Sequence, residues 1–547
     1  MRPFPLILTL ALGPPTATPT LAHDPAPHQA TTYAVAPPES PGADSNKLVL
    51  TITHDDTLVH ARFSLTLEDE TKPFIPPSLN KHGIHFTSIQ TGKKQTESFL
   101  YARGTGPVEI PLPDHVQSGT VTITKGYEFA PEKIPFQIEG QVARVEAKLH
   151  RHTNLKEAGW FAADPHLHYE RLDPAHDPDW FDMLAADDLE HGVFMIVKGG
   201  NVPGIWAQQY AYGPEGTAQN DTQLLIPGEE YRGPFQGHNN LFANAEVFPP
   251  IILGKKDHPW HWPTMHEALT KTQNDGGIGG PAHGGTFGSA STAVLDAVLG
   301  ASEFFELANT HLYELEPWYS LLNCGFILAP VAGTDLPNNP FPDTTQPLFG
   351  ETRTYLRCGE NASFEDWRDT IRRGETFITS GPLIELKVNG TGPGGVVNVA
   401  KNPTTGLATV SVSVKEHARP GAKPSQLELV LDGNPIPAND NTDGPILNVE
   451  LADSAWIALR ARGQRKNLLW AKTGILQHQI AHTAPIQIIV DDQPITSPDT
   501  AAALIKQLES QREIYATQTK YQDEAHRDHM LALFDKAIAK LSKQIEP

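Results

Sequence analysis

The chain has 547 residues, and its 64 acidic against 42 basic residues give a formal net charge of −22. This length exceeds one ordinary domain and predicts three or four. The acidic balance argues against a nucleic-acid groove, and no apolar run reaches the roughly 20 residues that a membrane helix needs. Two cysteines, Cys324 and Cys358, exclude a disulfide framework and leave either two free thiols or a single bridge.

The N-terminus has the pattern of an export signal. Arg2 supplies a short basic start, residues 4–12 are mostly apolar, and Ala22 is the small residue that a signal peptidase prefers. Residues 1–22 are therefore predicted to be a signal peptide, and the protein to be periplasmic or secreted. Residues 23–45 are rich in proline, alanine and polar residues, which predicts a linker.

Residues 46–155 show the period-two pattern of strands. Leu48, Leu50 and Ile52 alternate with polar neighbours, and a second alternating run covers residues 59–67 after a polar turn. No long helical period appears in this region. The pattern predicts an N-terminal β-sandwich.

Strands and helices alternate in residues 156–382. Asp177-Pro178 is a helix start, with an aspartate cap and proline at the first helical position. Residues 193–197 form a continuous apolar run that suits a strand buried on both faces, and residues 224–226 and 327–332 repeat the pattern. This alternation predicts an α/β domain.

Period-two alternation returns after residue 382. Ile384, Leu386 and Val388 alternate and stop at Asn389-Gly390, a hairpin turn pair. Residues 383–496 are therefore predicted to form a second β-sandwich. Residues 497–547 carry apolar residues at helical spacing and are predicted to form a helical tail that takes no part in a functional site.

The segment Asp164-Pro165-His166-Leu167-His168 is the first candidate for chemistry. Its two histidines point to the same side of an extended backbone, because side chains alternate along a strand. Neutral imidazoles side by side suit Zn²⁺, Mn²⁺ or Fe²⁺, and Asp164 falls where it could orient one ring. A polar turn with two surface histidines is the alternative interpretation.

Further metal-competent residues lie in or just after apolar strands. In a β/α barrel such strand ends share the face that carries the active site. Any one of these residues alone is more often a solvated loop residue, but five of them at five such positions favour a single site. They are His166, His168, Glu230, His283 and Asp335.

Several motifs together resemble those of PHP-type metallohydrolases, named for polymerase and histidinol phosphatase domains, and are most similar to the carbaryl-hydrolase (CehA/McbA) branch. The resemblance covers residues 160–382 and implies a distorted β/α barrel between the two β-sandwiches. The motifs are Asp164–His168, Gly228-Glu229-Glu230, Gly237-His238-Asn239-Asn240-Leu241, Pro281-Ala282-His283-Gly284, Leu321–Gly325, Ala332-Gly333-Thr334-Asp335 and Thr376–Pro382.

The resemblance implies a site with two divalent ions, with zinc or manganese favoured over iron. It places His166, His168 and Asp335 on one metal and His238 and His283 on the other. Glu230 would bridge them, with Glu229 as the alternative bridge. A hydroxide shared by the metals would be the nucleophile, and Asp335 would accept its proton, which makes Asp335 and Glu230 the catalytic candidates. Residues expected to support the ligands or contact substrate are Asp164, Lys198, Glu306, His311 and Arg353.

Two departures from the family pattern predict that no third metal binds. The second strand ends in Val197-Lys198-Gly199-Gly200-Asn201 without the family's histidine, and the last motif reads Asp335-Leu336-Pro337 instead of Asp-x-His. His176 and Asp173 would supply only part of a third site. Lys198 is a substrate contact, a carboxylated ligand or a plain solvated lysine.

The sequence therefore predicts an exported metal-dependent hydrolase that cleaves an ester, amide or carbamate bond of a small molecule. It predicts no nucleic-acid partner and no membrane span, and leaves the oligomeric state open. Two further functions are compatible with the motifs: a PHP-type phosphoesterase, and a non-catalytic surface or carbohydrate-binding protein whose barrel has decayed. Metal content separates the enzyme from the binding protein.

Overall fold

The computed structural model describes most of the chain. The predicted signal peptide lies outside the described residues, and so does the predicted linker except for residues 32–35. The described residues are 32–35, 46–68, 70, 72–90, 95–199, 205–233, 236–248, 263–285, 290–309, 313–336, 349–420, 425–438, 446–463 and 479–545.

The N-terminal region consists of strands that form two sheets. One sheet has the order β1-β5-β6-β4-β8-β9, and the other has the order β10-β2-β3 with β7 also paired to β2. Alternating apolar residues of β2 and β4 face one shared core. The strands are β1 (Thr32–Val35), β2 (Lys47–His54), β3 (Thr57–Leu58), β4 (His60–Leu67), β5 (Gly83–Gln90), β6 (Gln95–Arg103), β7 (Val108–Pro111), β8 (Ser118–Thr124), β9 (Glu132–Gln137) and β10 (Val142–Lys148).

The central region mixes helices and strands. Helix α1 begins at Asp177 with Pro178 in its first turn, and Thr264 caps α2 through a reciprocal bond with Glu267. The elements are β11 (Phe161–Leu167), α1 (Asp177–Ala186), β12 (His191–Gly199), β13 (Ile205–Trp206), β14 (Ala218–Gln219), β15 (Leu224–Gly233), β16 (Gly237–Phe242), α2 (Met265–Asn274), β17 (Ile278–Pro281), α3 (Ala293–Leu299), β18 (Phe304–Ala308), α4 (Glu316–Asn323), β19 (Ala329–Ala332), β20 (Arg353–Leu356), α5 (Phe364–Arg372) and β21 (Thr376–Thr379).

The central strands form an open mixed sheet of order β17-β16-β15-β12-β11-β20-β21. Strands β11, β12 and β15 are parallel, whereas β16, β17, β20 and β21 run antiparallel to their neighbours. Strands β15 and β16 form a hairpin, because the three residues between them are far fewer than a parallel crossover needs.

The predicted β/α barrel is not confirmed, since no closed barrel exists among the described strands. Strands β18 and β19 form a separate parallel pair. One backbone bond connects the start of β18 to β17: Glu303 N donates to Gly279 O at 2.9 Å. Strand β19 ends at Ala332, and the residues after it reach β11 only at an isolated bridge between Leu167 and Leu336, where Asp335 N donates to His166 O at 2.9 Å and His168 N donates to Leu336 O at 2.6 Å. The architecture is mixed α/β with several sheets.

The C-terminal strands continue the central sheet, because β21 pairs with residues 481–483 of a later strand, β29. A second sheet has the order β22-β24-β27, and the two C-terminal helices pack on α3 and α4 in one apolar cluster. The elements are β22 (Ile384–Val388), β23 (Val396–Val399), β24 (Ala408–Glu416), β25 (Gln426–Leu431), β26 (Asn434–Pro437), β27 (Ile446–Leu451), β28 (Ala455–Arg462), β29 (Ile480–Thr483), β30 (Ile486–Val490), α6 (Pro498–Thr517) and α7 (Glu524–Ser542).

Two expectations from composition concern the whole chain. Cys324 and Cys358 are both free thiols, so the possibility of a single bridge does not apply. Among the described residues, no helix is long and apolar enough to span a bilayer. The domain boundaries at residues 155, 382 and 496 stay predictions.

Candidate metal centre

Six candidate ligands converge at one end of the central strands. His166 lies in β11, Glu230 in β15 and His238 in β16. The other three lie within three residues after the ends of β11, β17 and β19: His168, His283 and Asp335. All but His238 are almost completely buried, and the His238 side chain is 18% exposed. The structure therefore brings together every side chain that the sequence predicts as a ligand.

The first group of ligand atoms consists of His166, His168, Glu230 and Asp335, with one atom of each lying within 4.8 Å of all the others. The two imidazole Nε2 atoms are 3.1 Å apart. His168 Nε2 lies 3.2 Å from Glu230 Oε2 and 3.2 Å from Asp335 Oδ1. Two imidazole nitrogens and two carboxylate oxygens around one position form a donor set that suits a divalent transition metal.

The second group consists of Glu230, His238 and His283, and it uses the other oxygen of Glu230. Glu230 Oε1 is 3.0 Å from His238 Nδ1 and 3.4 Å from His283 Nε2. Glu230 therefore presents one oxygen to each group, as a bridging carboxylate does. Asp335 also reaches both groups, because its Oδ2 lies 3.2 Å from His283 Nε2. The sequence assigned Asp335 to one metal alone.

Two acceptors orient the imidazole rings. Glu306 Oε1 lies 2.7 Å from His166 Nδ1, and His168 Nδ1 lies 3.0 Å from the Met195 carbonyl oxygen. When both Nδ1 atoms donate, both Nε2 atoms keep lone pairs, and these face each other across 3.1 Å. Facing lone pairs repel unless a proton or a metal ion lies between them. Although burial opposes it, the charges of Glu306 and Asp335 hold the pKa of His166 well above its usual range, so a cation is favoured at this position. The arrangement thus fits a bound metal ion.

Glu306 also fixes the second group. Its Oε2 accepts a hydrogen bond from the backbone N–H of His283 at 2.8 Å. His283 has a φ of +50°, which is uncommon for a residue with a side chain and is held here by that bond. One carboxylate therefore contacts a candidate ligand of each group, and with His166 and His283 it also forms a third group that could hold a metal ion. The role of Glu306 as a support of the ligands stays a prediction.

Asp164 does not orient an imidazole, contrary to the sequence-based expectation. Its carboxylate accepts from Thr334 N at 3.0 Å, Thr334 Oγ1 at 2.7 Å and Gly350 N at 2.8 Å. Through these bonds Asp164 holds the turn that carries Asp335. Burial raises the pKa of Asp164 to about 6, although the bonds from Thr334 and Gly350 act in the opposite direction.

Burial and nearby charges shift the pKa values of the two cluster carboxylates, Glu230 and Asp335, in opposite directions. Burial alone would raise the pKa of Glu230, but the charge of Arg232 and hydrogen bonds from the surrounding imidazoles hold it well below its usual range. The same opposition, with His166 as the main charge, holds the pKa of Asp335 low. Burial lowers the pKa of His238 to about 4. The carboxylates are thus ionised and His238 is neutral at pH 7, as ligands must be.

The remaining predicted residues lie elsewhere or outside the described part. The Arg353 guanidinium donates to the carbonyls of Gly350 at 2.5 Å and Asp187 at 3.1 Å and covers the Tyr127 ring, so it braces a packing contact away from the cluster. Lys198 belongs to β12, but its side chain is not described, and His311 lies outside the described residues.

Three residues that could have served as further ligands do not join the two groups. Glu229 points to the opposite face of β15 from Glu230, where its Oε2 accepts from Phe248 N at 2.8 Å, so it is not a bridge. Asp173 accepts from Ala175 N at 2.8 Å. Among the described residues, neither Asp173 nor His176 belongs to a group that could hold a metal.

Arg232 is a part of the cluster that sequence reasoning missed. Its Nε and Nη2 lie 2.7 and 2.5 Å from Glu230 Oε2. The spacing of two residues from Glu230 on one strand was the available signal, because it places both side chains on one face. Asn309 was also missed, and it donates to Asp335 Oδ2 at 3.3 Å.

Comparisons with known proteins add little to this geometry. No protein-family model matches the chain, and no curated protein matches it. Among solved structures, the lesion-specific endonuclease PfuEndoQ from Pyrococcus furiosus is similar at 13% identity and a TM-score of 0.25, over 39% of this chain and 56% of the endonuclease chain. A TM-score this low supports no inference about fold or activity.

Proposed function

We propose that the chain is a metal-dependent hydrolase with a PHP-like two-metal site. The observation that carries the proposal is the position of Glu230, which turns one oxygen to each of two groups of imidazoles inside a buried cluster. Burying four imidazoles, two carboxylates and a guanidinium together costs free energy that a purely structural core would avoid. A catalytic metal centre is a reason to keep them.

The ligand assignment follows the two groups. His166, His168 and Asp335 would hold one ion, His238 and His283 would hold the other, and Glu230 would hold both. Bound divalent ions lower the pKa of a shared water towards neutrality and so supply hydroxide at pH 7. Asp335 lies within reach of both groups, 3.2 Å from His168 Nε2 and 3.2 Å from His283 Nε2, and is the proposed acceptor of the proton released during attack. Glu306 and the Met195 carbonyl keep the imidazoles in the orientation that ligation needs.

Two ions, and not three, are proposed. Glycine and proline stand at residues 200 and 337, where the family carries histidines, and neither side chain can coordinate a metal. Imidazole and carboxylate donors favour zinc or manganese, and iron is also compatible.

The choice of an ester, amide or carbamate bond, and of a small-molecule substrate, rests on the resemblance to the carbaryl-hydrolase branch. Export rests on residues 1–22. Sequencing the N-terminus of the protein recovered from the periplasm or medium tests export, and an intact Met1 in a cytoplasmic product would contradict it.

The function is tested with the full chain, stripped with a chelator and reloaded with Zn²⁺ or Mn²⁺. Aryl acetates, aryl carbamates and aryl phosphates serve as substrates. We expect hydrolysis by the loaded protein, none by the stripped protein, and loss of hydrolysis in Glu230→Gln. Glu229→Gln is the matched control on the other face of β15 and should remain active. Failure to take up metal would point to the non-catalytic binding protein instead.

A further inference from the structure

Arg232 brings a positive charge into the candidate metal centre. It lies in β15 two residues after Glu230, so both side chains are on the same face of the strand. Across the hairpin it pairs with His238. Only 7% of Arg232 is exposed, which makes it a nearly buried cation beside residues that would bind two further cations.

The other buried arginines among the described residues each bond to at least two different acceptor atoms. Arg62 places Nε and Nη2 on the two different oxygens of Asp187, at 3.0 and 2.8 Å. Arg171 does the same with Asp177, at 3.1 and 3.2 Å. Arg353 donates through all three nitrogens to backbone carbonyls. Each of these is a structural brace with the fork geometry that a guanidinium prefers.

Arg232 is bonded differently. Both Nε and Nη2 converge on the single oxygen Oε2 of Glu230, and Nη1 has no hydrogen-bond partner among the described residues. A guanidinium offers five N–H donors, so several remain available. The carboxylate that Arg232 contacts, Glu230, is also the proposed bridge between the two metals.

Metal binding would weaken this single ion pair. If Glu230 binds divalent cations, its negative charge also offsets theirs. The positive charge of Arg232 is then offset less completely. A nearly buried guanidinium is costly without an anionic partner. In the loaded protein Arg232 therefore favours a further anion beside the metals.

We infer that Arg232 binds a negatively charged oxygen of the substrate, so that the site selects molecules carrying a carboxylate or phosphate group next to the bond that is cleaved. This inference rests on the proposed function, whose substrate class it narrows. The planar fork of the guanidinium fits either oxyanion. Arg232 is thus a specificity residue, which none of the predicted ligands or catalytic groups provides.

The test measures binding of inorganic phosphate and of acetate to the zinc-loaded full chain by isothermal titration calorimetry. Removing hydrogen bonds from a charged donor predicts that Arg232→Met raises the Kd of the preferred anion by about 10- to 100-fold. The probe with the larger rise identifies the source as phosphate or carboxylate. Arg460→Met is the matched control, because Arg460 Nε likewise uses one oxygen, Glu428 Oε2 at 2.6 Å, and it should leave both Kd values unchanged.

Zinc content is measured in every variant, so that loss of metal is not mistaken for loss of anion binding. Unchanged Kd values for both anions in Arg232→Met at full zinc content would overturn the inference. If Arg232→Met fails to hold zinc, Arg232→Gln decides: it keeps an N–H donor near Glu230 but removes the positive charge, and an unchanged Kd for both anions at full zinc content overturns the inference.

The inference and the proposed function fail in different ways. Arg232-dependent phosphate or acetate binding without hydrolysis of any tested substrate would uphold the role of Arg232 and contradict the hydrolase. Zinc-dependent hydrolysis of a neutral aryl acetate, with the same kcat and KM in Arg232→Met and with unchanged anion binding, would uphold the hydrolase and contradict the role of Arg232.

Discussion

Two adjacent glutamates have different contacts because they lie on opposite faces of strand β15. Glu230 faces both histidine groups, whereas Glu229 faces away and accepts a backbone bond from Phe248. Strand alternation, which is readable from sequence, separates their roles because neighbouring side chains point to opposite faces.

The first prediction concerns metal content. Glu230→Gln should reduce zinc from about two equivalents to well below one, because a bridging carboxylate serves both ions. His283→Ala should mainly empty one position, since its backbone bond to Glu306 survives the substitution. Elemental analysis after exhaustive dialysis measures both, with Glu229→Gln as the control. Two zinc ions persisting in Glu230→Gln would contradict the bridging assignment.

A second prediction concerns Glu306, which contacts His166 Nδ1 and the backbone N–H of His283. Glu306→Gln should weaken zinc affinity by about 10- to 100-fold, the usual effect of altering a group that orients a metal ligand. Competition with a chromogenic chelator measures the change. Glu303→Gln is the control, because Glu303 pairs instead with Arg372 at 2.5 Å on the surface. Equal zinc affinity in the two variants would argue against the role of Glu306.

At this scale the residues that cluster could be predicted from sequence, but several of the contacts that hold them could not. Asp164 binds Thr334, which lies 170 residues further along the chain. Arg353 ends among the backbone carbonyls of residues 187, 188 and 350, away from the cluster. Such partners are set by how distant elements pack, and local spacing contains no information about them.

At the scale of elements, the sequence predicts where several strands lie but not the direction in which each one runs. Residues 193–197 and 224–226 lie in parallel strands β12 and β15, as their apolar runs indicate. The next strand, β16, was not predicted as an antiparallel partner, because its Gly237–Leu241 segment was interpreted only as a motif. Periodicity gives the burial of a strand but not its direction, and the distorted β/α barrel that the resemblance implies is not confirmed, since the described strands form an open mixed sheet.

The turn after β19 leads to a third prediction. A Cβ at Gly333 would lie 2.5 Å from His166 Cβ and 2.8 Å from His166 N, so Gly333→Ala should destabilise the fold by about 1–3 kcal/mol and displace a ligand. Thermal unfolding and zinc content report the two effects. Gly392→Ala is the control, since its nearest atom would be Arg357 Nη1 at 3.9 Å. Full zinc content in Gly333→Ala would show that the turn adapts.

At the scale of the molecule, buried polar contacts join regions that the sequence predicts as separate domains. Arg62 of β4 pairs with Asp187 beside α1, and both are nearly inaccessible to solvent. Strand β21 pairs with β29, so one sheet runs from the central region into the C-terminal strands. A change of periodicity marks where the chain changes its pattern, but it does not show whether the sheets on either side merge.

The last prediction concerns pH and the whole fold. Burial lowers the pKa of His152 to about 4, of His191 to about 3 and of His482 to about 4. An unfolded histidine titrates near 6.5, so between these values the unfolded chain binds protons that the folded chain excludes. Their contribution to stability is therefore complete above pH 6.5 and is lost as the pH falls towards 4.

Substitution of His482 measures the contribution of one of these histidines to the pH dependence of stability. It is fully buried between Tyr319 Oη at 2.7 Å and the Thr483 carbonyl at 2.7 Å. The linkage relation gives a loss of about 2 kcal/mol for this group between pH 7 and pH 5. Urea unfolding of the metal-free protein at both pH values should show that His482→Gln loses about 2 kcal/mol less than the unsubstituted chain. The exposed His150→Gln is the control, and identical losses in both variants would show that His482 is not held neutral by the fold.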